Sequence, residues 1–331
     1  MRRHRQRGLA LLIVLWVGAL VAVLAATFAF EARQEAALTH NAISRARAES
    51  LAESGIARAI LGLLAPRADE RWDDLGAPRR VALPGGTAQV SALSENGKLD
   101  INVSPPELVR GLIEVLQAES ADVGDGRAAD VAQAILDWRD DDQDPLPGGA
   151  EADQYAAAGL DHVPRDRAFL SVGELRLVMG MTDALFDRLA PLVTVHTWSA
   201  RIDPQSAPRE VLLALPGVDV ASVDAFLEAR AQAATEQAAT GGGAASPRLP
   251  LELLRPAQRH LSRSRSRVYT LRSEGRTDDG AIARKEAVVR LSGSPRRPFS
   301  VLAWLDDRSP GGEDTAAPDD TTNPAETPSQ H

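Results

Sequence analysis

The chain has 331 residues, with 37 basic and 46 acidic side chains, a formal net charge of −9 and no cysteine. That length accommodates about two folded units plus tails, and the absence of cysteine excludes a disulfide scaffold, a cysteine-based zinc site, an iron–sulfur cluster and a thiol nucleophile. The acidic balance disfavours general nucleic-acid binding, which rests on phosphate neutralisation. Neither HExxH, GxSxG nor GxxxxGK[ST] occurs.

The chain opens with MRRHRQRG, four arginines and no acid, followed by 22 uncharged residues from Leu9 to Phe30. At 1.5 Å per residue that run is about 33 Å long, enough to cross a hydrocarbon core of about 30 Å. The arginines before it and Glu31 after it place the N-terminus in the cytoplasm by the positive-inside rule. A cleaved secretory signal fits poorly, because the apolar run exceeds a signal h-region and no A-x-A pattern lies between Ala10 and Arg33. From Glu31 to Leu64 there is no proline, and Ala, Leu, Arg and Glu dominate. One helix from about Leu9 to Leu64 is predicted, stopped by Pro66. Its first half would lie in lipid. Its second half would pack on a domain through a face including Leu51, Ile56, Ile60 and Leu63.

A short basic leader ending in glycine before such a run resembles the class III signal of type IV pilins and pseudopilins. The resemblance implies cleavage by prepilin peptidase after Gly8 and methylation of the new amine on Leu9. Such subunits usually carry Glu at the fifth mature position, where this chain has Ile13. A subunit lacking that Glu suits a filament end better than its body.

Beyond Pro66, Arg67 to Pro84 reads as a loop. The segment TAQVSALSENGKLDINV alternates and is expected to form a β-hairpin turning at Asn96-Gly97. A second hairpin is expected from strands at about 267–275 and 281–291, with Asp278-Asp279-Gly280 at the turn. Between the two strand regions the chain reads helical, and residues 306–331, rich in Pro, Thr and Asp, read as disordered. Residues 98–116 weakly resemble 201–218, and the second copy continues as a helix-hairpin-helix around Pro216-Gly217-Val218. In DNA-binding versions the hairpin amides hold a phosphate. Here residues 201–230 carry three arginines and five acids, which favours a packing module. The string Arg259, Arg263, Arg265, Arg267 reads as a solvated approach to the following strand.

The densest chemistry lies between Asp137 and Tyr155, with seven acids and one arginine. Counted from Asp140, acids fall at EF-hand ligand positions 1, 3, 5 and 12, namely Asp140, Asp142, Asp144 and Glu151, although Pro145 replaces the glycine of that loop. Hard oxygen donors on a flexible loop suit Ca²⁺, with Asp153 as a further ligand. A solvated acidic loop and, less well, a glycosidase carboxylate pair remain as alternatives.

The leader and LALLIVLW, then GKLDIN, ILDWRDDDQ, GAEADQY, SVGELRLVMGMT, LAPLVTVHT and LLALPGV occur in order. Together they resemble the type II secretion minor pseudopilin K family, over about residues 5–292. The resemblance implies an α+β fold. A long N-terminal helix, transmembrane in its first half, packs on a pseudopilin-type antiparallel β-sheet with a large all-α domain inserted. The expected organisation is a cleaved leader (1–8), a membrane span (9–30), the rest of the helix and first strands (31–104), and the inserted α-domain (105–262). Closing strands (263–305) and an acidic tail (306–331) follow. The resemblance also implies a non-enzymatic subunit at the pseudopilus tip, partnered by minor pseudopilins I and J. It would sit in the inner membrane with its main domain periplasmic, with calcium in the acidic loop and no nucleic acid bound. A DNA-uptake or adhesion minor pilin is the alternative. Residues 236–250 and the tail lie outside the resemblance.

Overall fold

The computed structural model describes residues 7–67, 70–72, 75–118, 128–239, 249–262 and 266–306. Helix α1 runs unbroken from Arg7 to Leu63. Its apolar first half is uncovered on every side, with Leu15, Trp16 and Phe28 among its exposed residues, whereas Ala48, Ala52, Ile56, Ala59 and Leu63 are buried. It is the one described helix long and apolar enough to cross a membrane. The burial pattern follows from the sequence: the first half is apolar all round, and the second half is apolar on one stripe.

That stripe rests on a five-stranded antiparallel sheet in the order β1-β2-β5-β6-β7. Strands β1 (Arg79–Leu83) and β2 (Gly86–Ser94) form the first hairpin. After a two-residue β3 (Leu99–Asp100), the chain builds α2 (Pro106–Ala118), α3 (Ala128–Arg139), α4 (Ala152–Ala157) and α5 (Asp183–Leu189). It then forms β4 (Val193–Thr194), α6 (Arg209–Leu213) and α7 (Val220–Ala239), with 3₁₀ turns at Val172–Leu177 and Leu251–His260. Only then does it return to the sheet through β5 (Val268–Thr277), β6 (Ile282–Leu291) and β7 (Phe299–Asp306). β5 pairs with β2 along its length, Gly86 opposite Thr277 and Ser94 opposite Tyr269. The helical region is therefore an insertion between two neighbouring strands.

Two cores result. One lies between α1 and the sheet, with Ile56, Ile60, Val90, Leu271 and Val289. The other fills the inserted domain around Leu112, Ile135, Trp138, Val211 and Phe226. The two copies of the internal repeat pack on each other within it, where Gly111 of α2 closely approaches the Ala214 backbone at the end of α6.

Two expectations need correction. Asn96-Gly97 does not turn a hairpin. Residues Glu95–Gly97 form a 3₁₀ turn and Leu99–Asp100 pairs in parallel with Val193–Thr194. The first hairpin turns instead at Pro84-Gly85, with Gly85 at φ 83°, and part of the expected Arg67–Pro84 loop is strand β1. The reason is tertiary: Asn96 O accepts from Asp203 N at 2.7 Å, and a Cβ on Gly97 would overlap the Ser206 and Ala207 backbone. Gly97 is there for close approach and not for a left-handed φ. Strand β7 lies at the end of the stretch expected to hold closing strands (263–305), beyond the two strands that alternation marks, because Phe299–Leu305 is largely apolar on both faces and shows no alternation. The second hairpin lies where it was expected, with Thr277 N donating to Ala281 O across the turn.

Candidate metal centre

Helix α3 delivers the acidic loop, and Arg139 fixes its end. The Arg139 guanidinium donates to Ser104 O at 2.8 Å and to Ile101 O. Two residues earlier, Asp137 is fully buried and accepts from Leu146 N at 3.2 Å, folding the loop back over the helix end. Gly149 lies against that carboxylate so closely that any side chain would collide with it. Trp138, also buried, stacks on Phe169 at 5.8 Å and meets Tyr155 at 6.2 Å. The Tyr155 hydroxyl oxygen accepts from Met179 N at 2.8 Å, tying α4 to the floor of the site. Glu151 begins α4, its N–H donating to the Gln154 side chain at 3.0 Å.

This scaffold brings Asp140, Asp142 and Glu151 together, with one oxygen from each within 4.8 Å of the others. Asp140 Oδ1 and both Glu151 carboxylate oxygens are buried without a hydrogen-bond partner among the described residues. Such orphaned acceptors are costly unless something else satisfies them. Burial first, then the charges of Asp142, Asp137 and Asp166, push Asp140 up to about 6. Burial first, then Asp137, Asp140, Asp166 and Asp142, push Glu151 up to about 7.

Of the five residues singled out by spacing, Asp144 and Asp153 do not join this group; both are exposed. Asp144 instead uses its N–H to donate to Asp142 Oδ1 at 2.9 Å, orienting that carboxylate. The structure adds Asp166, which spacing could not find. It holds a left-handed φ of 51°, receives Gln143 Nε2 on Oδ2 at 2.6 Å, and leaves its buried Oδ1 without a partner. Gly8 and Leu9 fall in the first turns of α1, whereas residues 1–6 of the leader and 307–331 of the tail lie outside the described residues.

The helix-hairpin-helix reading resolves into packing contacts. Gly217 makes the turn at φ 75°, and Ser222 N at the start of α7 donates to Asp219 Oδ1 at 2.7 Å. Arg209 pairs with Asp224, and Arg230 caps the Ala207 and Pro204 carbonyls. Of the basic string, Arg259 lies 3.6 Å from Glu107, and Arg263 and Arg265 lie outside the described residues.

The family description "Type II secretion system (T2SS), protein K" matches residues 89–197, which span β2, the acidic loop and β4. The type II secretion system protein K of Klebsiella pneumoniae is 29% identical over 257 residues, covering 70% of this chain and 77% of that protein. The chain is similar to the type II secretion system protein K family. The protein K of Pseudomonas aeruginosa is 27% identical over 256 residues, 69% of this chain and 73% of its own. That of Dickeya chrysanthemi reaches 42% over a shorter stretch of 69 residues, 21% of this chain and 18% of the relative. The fold is shared with a chain from the crystal structure of the GspK–GspI–GspJ complex of the enterotoxigenic Escherichia coli type 2 secretion system. That match has a TM-score of 0.52 at 20% identity and covers 84% of this chain and 100% of the other. The long helix, the antiparallel sheet and the additional helices match the α+β fold of that neighbour.

Proposed function

We propose that this chain is a non-enzymatic minor pseudopilin at the tip of a type II secretion pseudopilus, where it helps initiate or cap the filament that drives export of folded proteins. The observation that carries the proposal is the division of α1. Its first half is apolar and uncovered, and its second half is the backing helix of a sheet that bears a large inserted domain. Residues 9–30 anchor it in the inner membrane with the N-terminus cytoplasmic and the main domain periplasmic. Prepilin peptidase cuts between Gly8 and Leu9. The inserted domain would crowd a filament if every subunit carried it, and Ile13 removes the carboxylate that would pair with a neighbour's N-terminal amine; both favour a terminal position. The crystallised relative was in complex with GspI and GspJ, so minor pseudopilins I and J of the same system are the proposed partners.

The acidic loop fits calcium. Three convergent carboxylates, two of them (Asp140 and Glu151) with buried, unpartnered oxygens, a further carboxylate in Asp166 near enough to raise both, and no nitrogen or sulfur donor in the group form a hard-oxygen set. Asp140, Asp142 and Glu151 would hold the ion, whose positive charge lets these groups ionise together. Its role would be to fasten the loop to the end of α3.

The experiment is co-expression of the full chain with minor pseudopilins I and J from the same genome, followed by detergent extraction and affinity purification. A stable ternary complex is the expected result; recovery of this chain alone would overturn the reading. A DNA-uptake role would need an open anion site at the α7 hairpin, which Asp219 already fills with its own carboxylate.

A further inference from the structure

In a chain of formal net charge −9, three segments without a single acid meet where the sheet adjoins the inserted domain: residues 195–202, 266–268 and 289–300. Hydrogen bonds hold them together. Arg290 donates to His196 O at 2.8 Å, Leu291 N to Arg267 O at 2.7 Å, and Ser292 N to Pro298 O at 2.8 Å across the β6–β7 turn. Arg201, Arg267, Arg296 and Arg297 are exposed, and none of their guanidinium groups meets a carboxylate among the described residues. The carboxylates that act on His196, Asp100 and Glu95, are buried and already held. Asp100 accepts from Thr197 N at 2.9 Å and Trp198 N at 2.7 Å, and Glu95 takes Lys98 at 2.6 Å. On β6 itself, Glu286 is paired with Arg272. This end of the sheet is therefore an uncompensated basic surface on an acidic protein.

Trp198 stands in the first of these segments. It is 60% exposed and holds a left-handed φ of 52°, a conformation that strains a bulky residue. The buried Asp100 carboxylate pins its backbone there. An exposed indole fixed beside unpaired arginines suits an extended ligand that brings carboxylates and prolines.

We infer that the occupant is this chain's own acidic segment, residues 307–331, folded back onto the basic end of the sheet. That segment holds six acids, one arginine and four prolines, with no Val, Leu, Ile, Met or aromatic residue. Charge and proline–indole contact are what it has to offer, and they are what the surface takes. Its reach fits as well. Strand β7 starts at Phe299, beside the arginines, and ends at Asp306, so its eight residues put about 26 Å between the start of the segment and the patch. The pair Asp319-Asp320 follows Asp306 by about 14 residues, a coil with a root-mean-square span of about 21 Å that extends to about 45 Å. Covalent linkage supplies an effective concentration in the millimolar range. Exposed ion pairs too weak to hold two molecules together can then act as a network. Docked in this way, the segment covers Trp198 and neutralises the patch, and an acidic partner surface must displace it to bind there.

The chain has no cysteine, so introduced thiols form defined pairs. The test uses the full chain in detergent with Thr321→Cys in the acidic segment and a second cysteine on the sheet, joined by a short bis-maleimide. Ser294→Cys places the second thiol in the exposed β6–β7 turn, and Asp278→Cys places it in the exposed β5–β6 turn at the other end of the sheet. Asp306 pairs with Lys285, towards the Asp278 end, so a segment held nowhere would meet Asp278→Cys at least as often as Ser294→Cys. Docking should instead favour the Ser294→Cys link within one chain by about fivefold at low salt. The preference should vanish in about 1 M NaCl, where the screening length is about 3 Å. It should also vanish in the Arg296→Glu, Arg297→Glu variant, whose melting temperature should match the parent because both side chains are exposed. Equal or greater linking to Asp278→Cys, a preference that survives both salt and charge reversal, or links formed only between two copies of the chain would each overturn the inference.

Discussion

The Thr270 hydroxyl on β5 donates to Glu95 Oε1 at 2.6 Å, joining residues 175 positions apart at the place where the chain leaves the sheet for the inserted domain. Lys98 lies 2.6 Å from the same oxygen, and both charged groups are largely buried. Burial alone would push the Glu95 carboxyl up. The Lys98 charge and the hydrogen bonds from Lys98, Thr194 and Thr270 outweigh it, and hold the group below the usual glutamate range. Sheet, 3₁₀ turn and β4 thus share one carboxylate.

Glu95→Ala should cost about 3 kcal/mol, because it strands a buried ammonium. Lys98→Ala should cost a similar amount, and the double variant less than the sum. Because the folded-state value is depressed, the contribution is complete above the ordinary value of 4.5 and is lost as pH falls through the folded value. Urea melts of the four proteins at pH 7 and pH 4 measure both effects. Additive losses at pH 7 would show that the pair does not couple the two layers.

Helix α1 meets the sheet through glycines. A Cβ on Gly275 of β5 would fall on Ala48 O and Ala52 N of the α1 backbone, and one on Gly55 would overlap Ser273 and Val90. Neither backbone can retreat without opening the core. Gly275→Ala should therefore lower stability by about 2 kcal/mol or more, whereas Gly293→Ala, with open space around it, should be neutral within about 0.5 kcal/mol. Thermal melts of the two variants decide this.

The long helix was legible in the sequence because lipid and sheet both demand apolar residues, so absence of charge and then one-sided periodicity announced it. The β5–β6 hairpin was legible because its turn is local. Asn96-Gly97 misled because a turn-forming dipeptide had been placed for a contact with residues 206 and 207, over 100 positions away, and a local signal cannot report a distant backbone. The acidic loop was half legible. The spacing of Asp140, Asp142 and Glu151 is local and the structure converges them. Asp166 arrives on a separate loop in a left-handed conformation that nothing in its neighbours announces.

Processing is expected at Gly8–Leu9. Removal of the four leader arginines takes the formal charge from −9 to −13. Intact-mass analysis of membrane-extracted protein should show N-methylated Leu9, and Gly8→Val should leave the full leader in place. An N-terminus at Met1 in the parent chain, or cleavage near Ala29, would contradict the expectation.

The acidic cluster should give opposite pH dependences with and without calcium. Without metal, Asp140 and Glu151 are raised from 3.8 and 4.5 to about 6 and about 7. A raised folded value stabilises below the unfolded value and is lost as pH rises through the folded one. In EGTA the melting temperature should therefore fall as pH rises from about 5 to 8. With Ca²⁺ the ligands must be ionised, so the calcium-dependent gain should grow over the same interval. At a hundredfold excess over the dissociation constant the gain is about 2.7 kcal/mol. Mg²⁺ should give much less, because it demands a tight octahedron and keeps its water. Asp140→Asn and Glu151→Gln should flatten the EGTA profile and abolish most of the calcium gain. Asp144→Asn should lose little, since the Asp144 contribution is a backbone N–H. Asp166→Asn should weaken calcium binding by about tenfold, the size of effect expected for a group that supports the primary ligands. Melts of the full chain in detergent at pH 5 and pH 8, with EGTA, Ca²⁺ or Mg²⁺, measure all of these. Identical midpoints in the three conditions at pH 8 would leave the loop as a solvated acidic cluster.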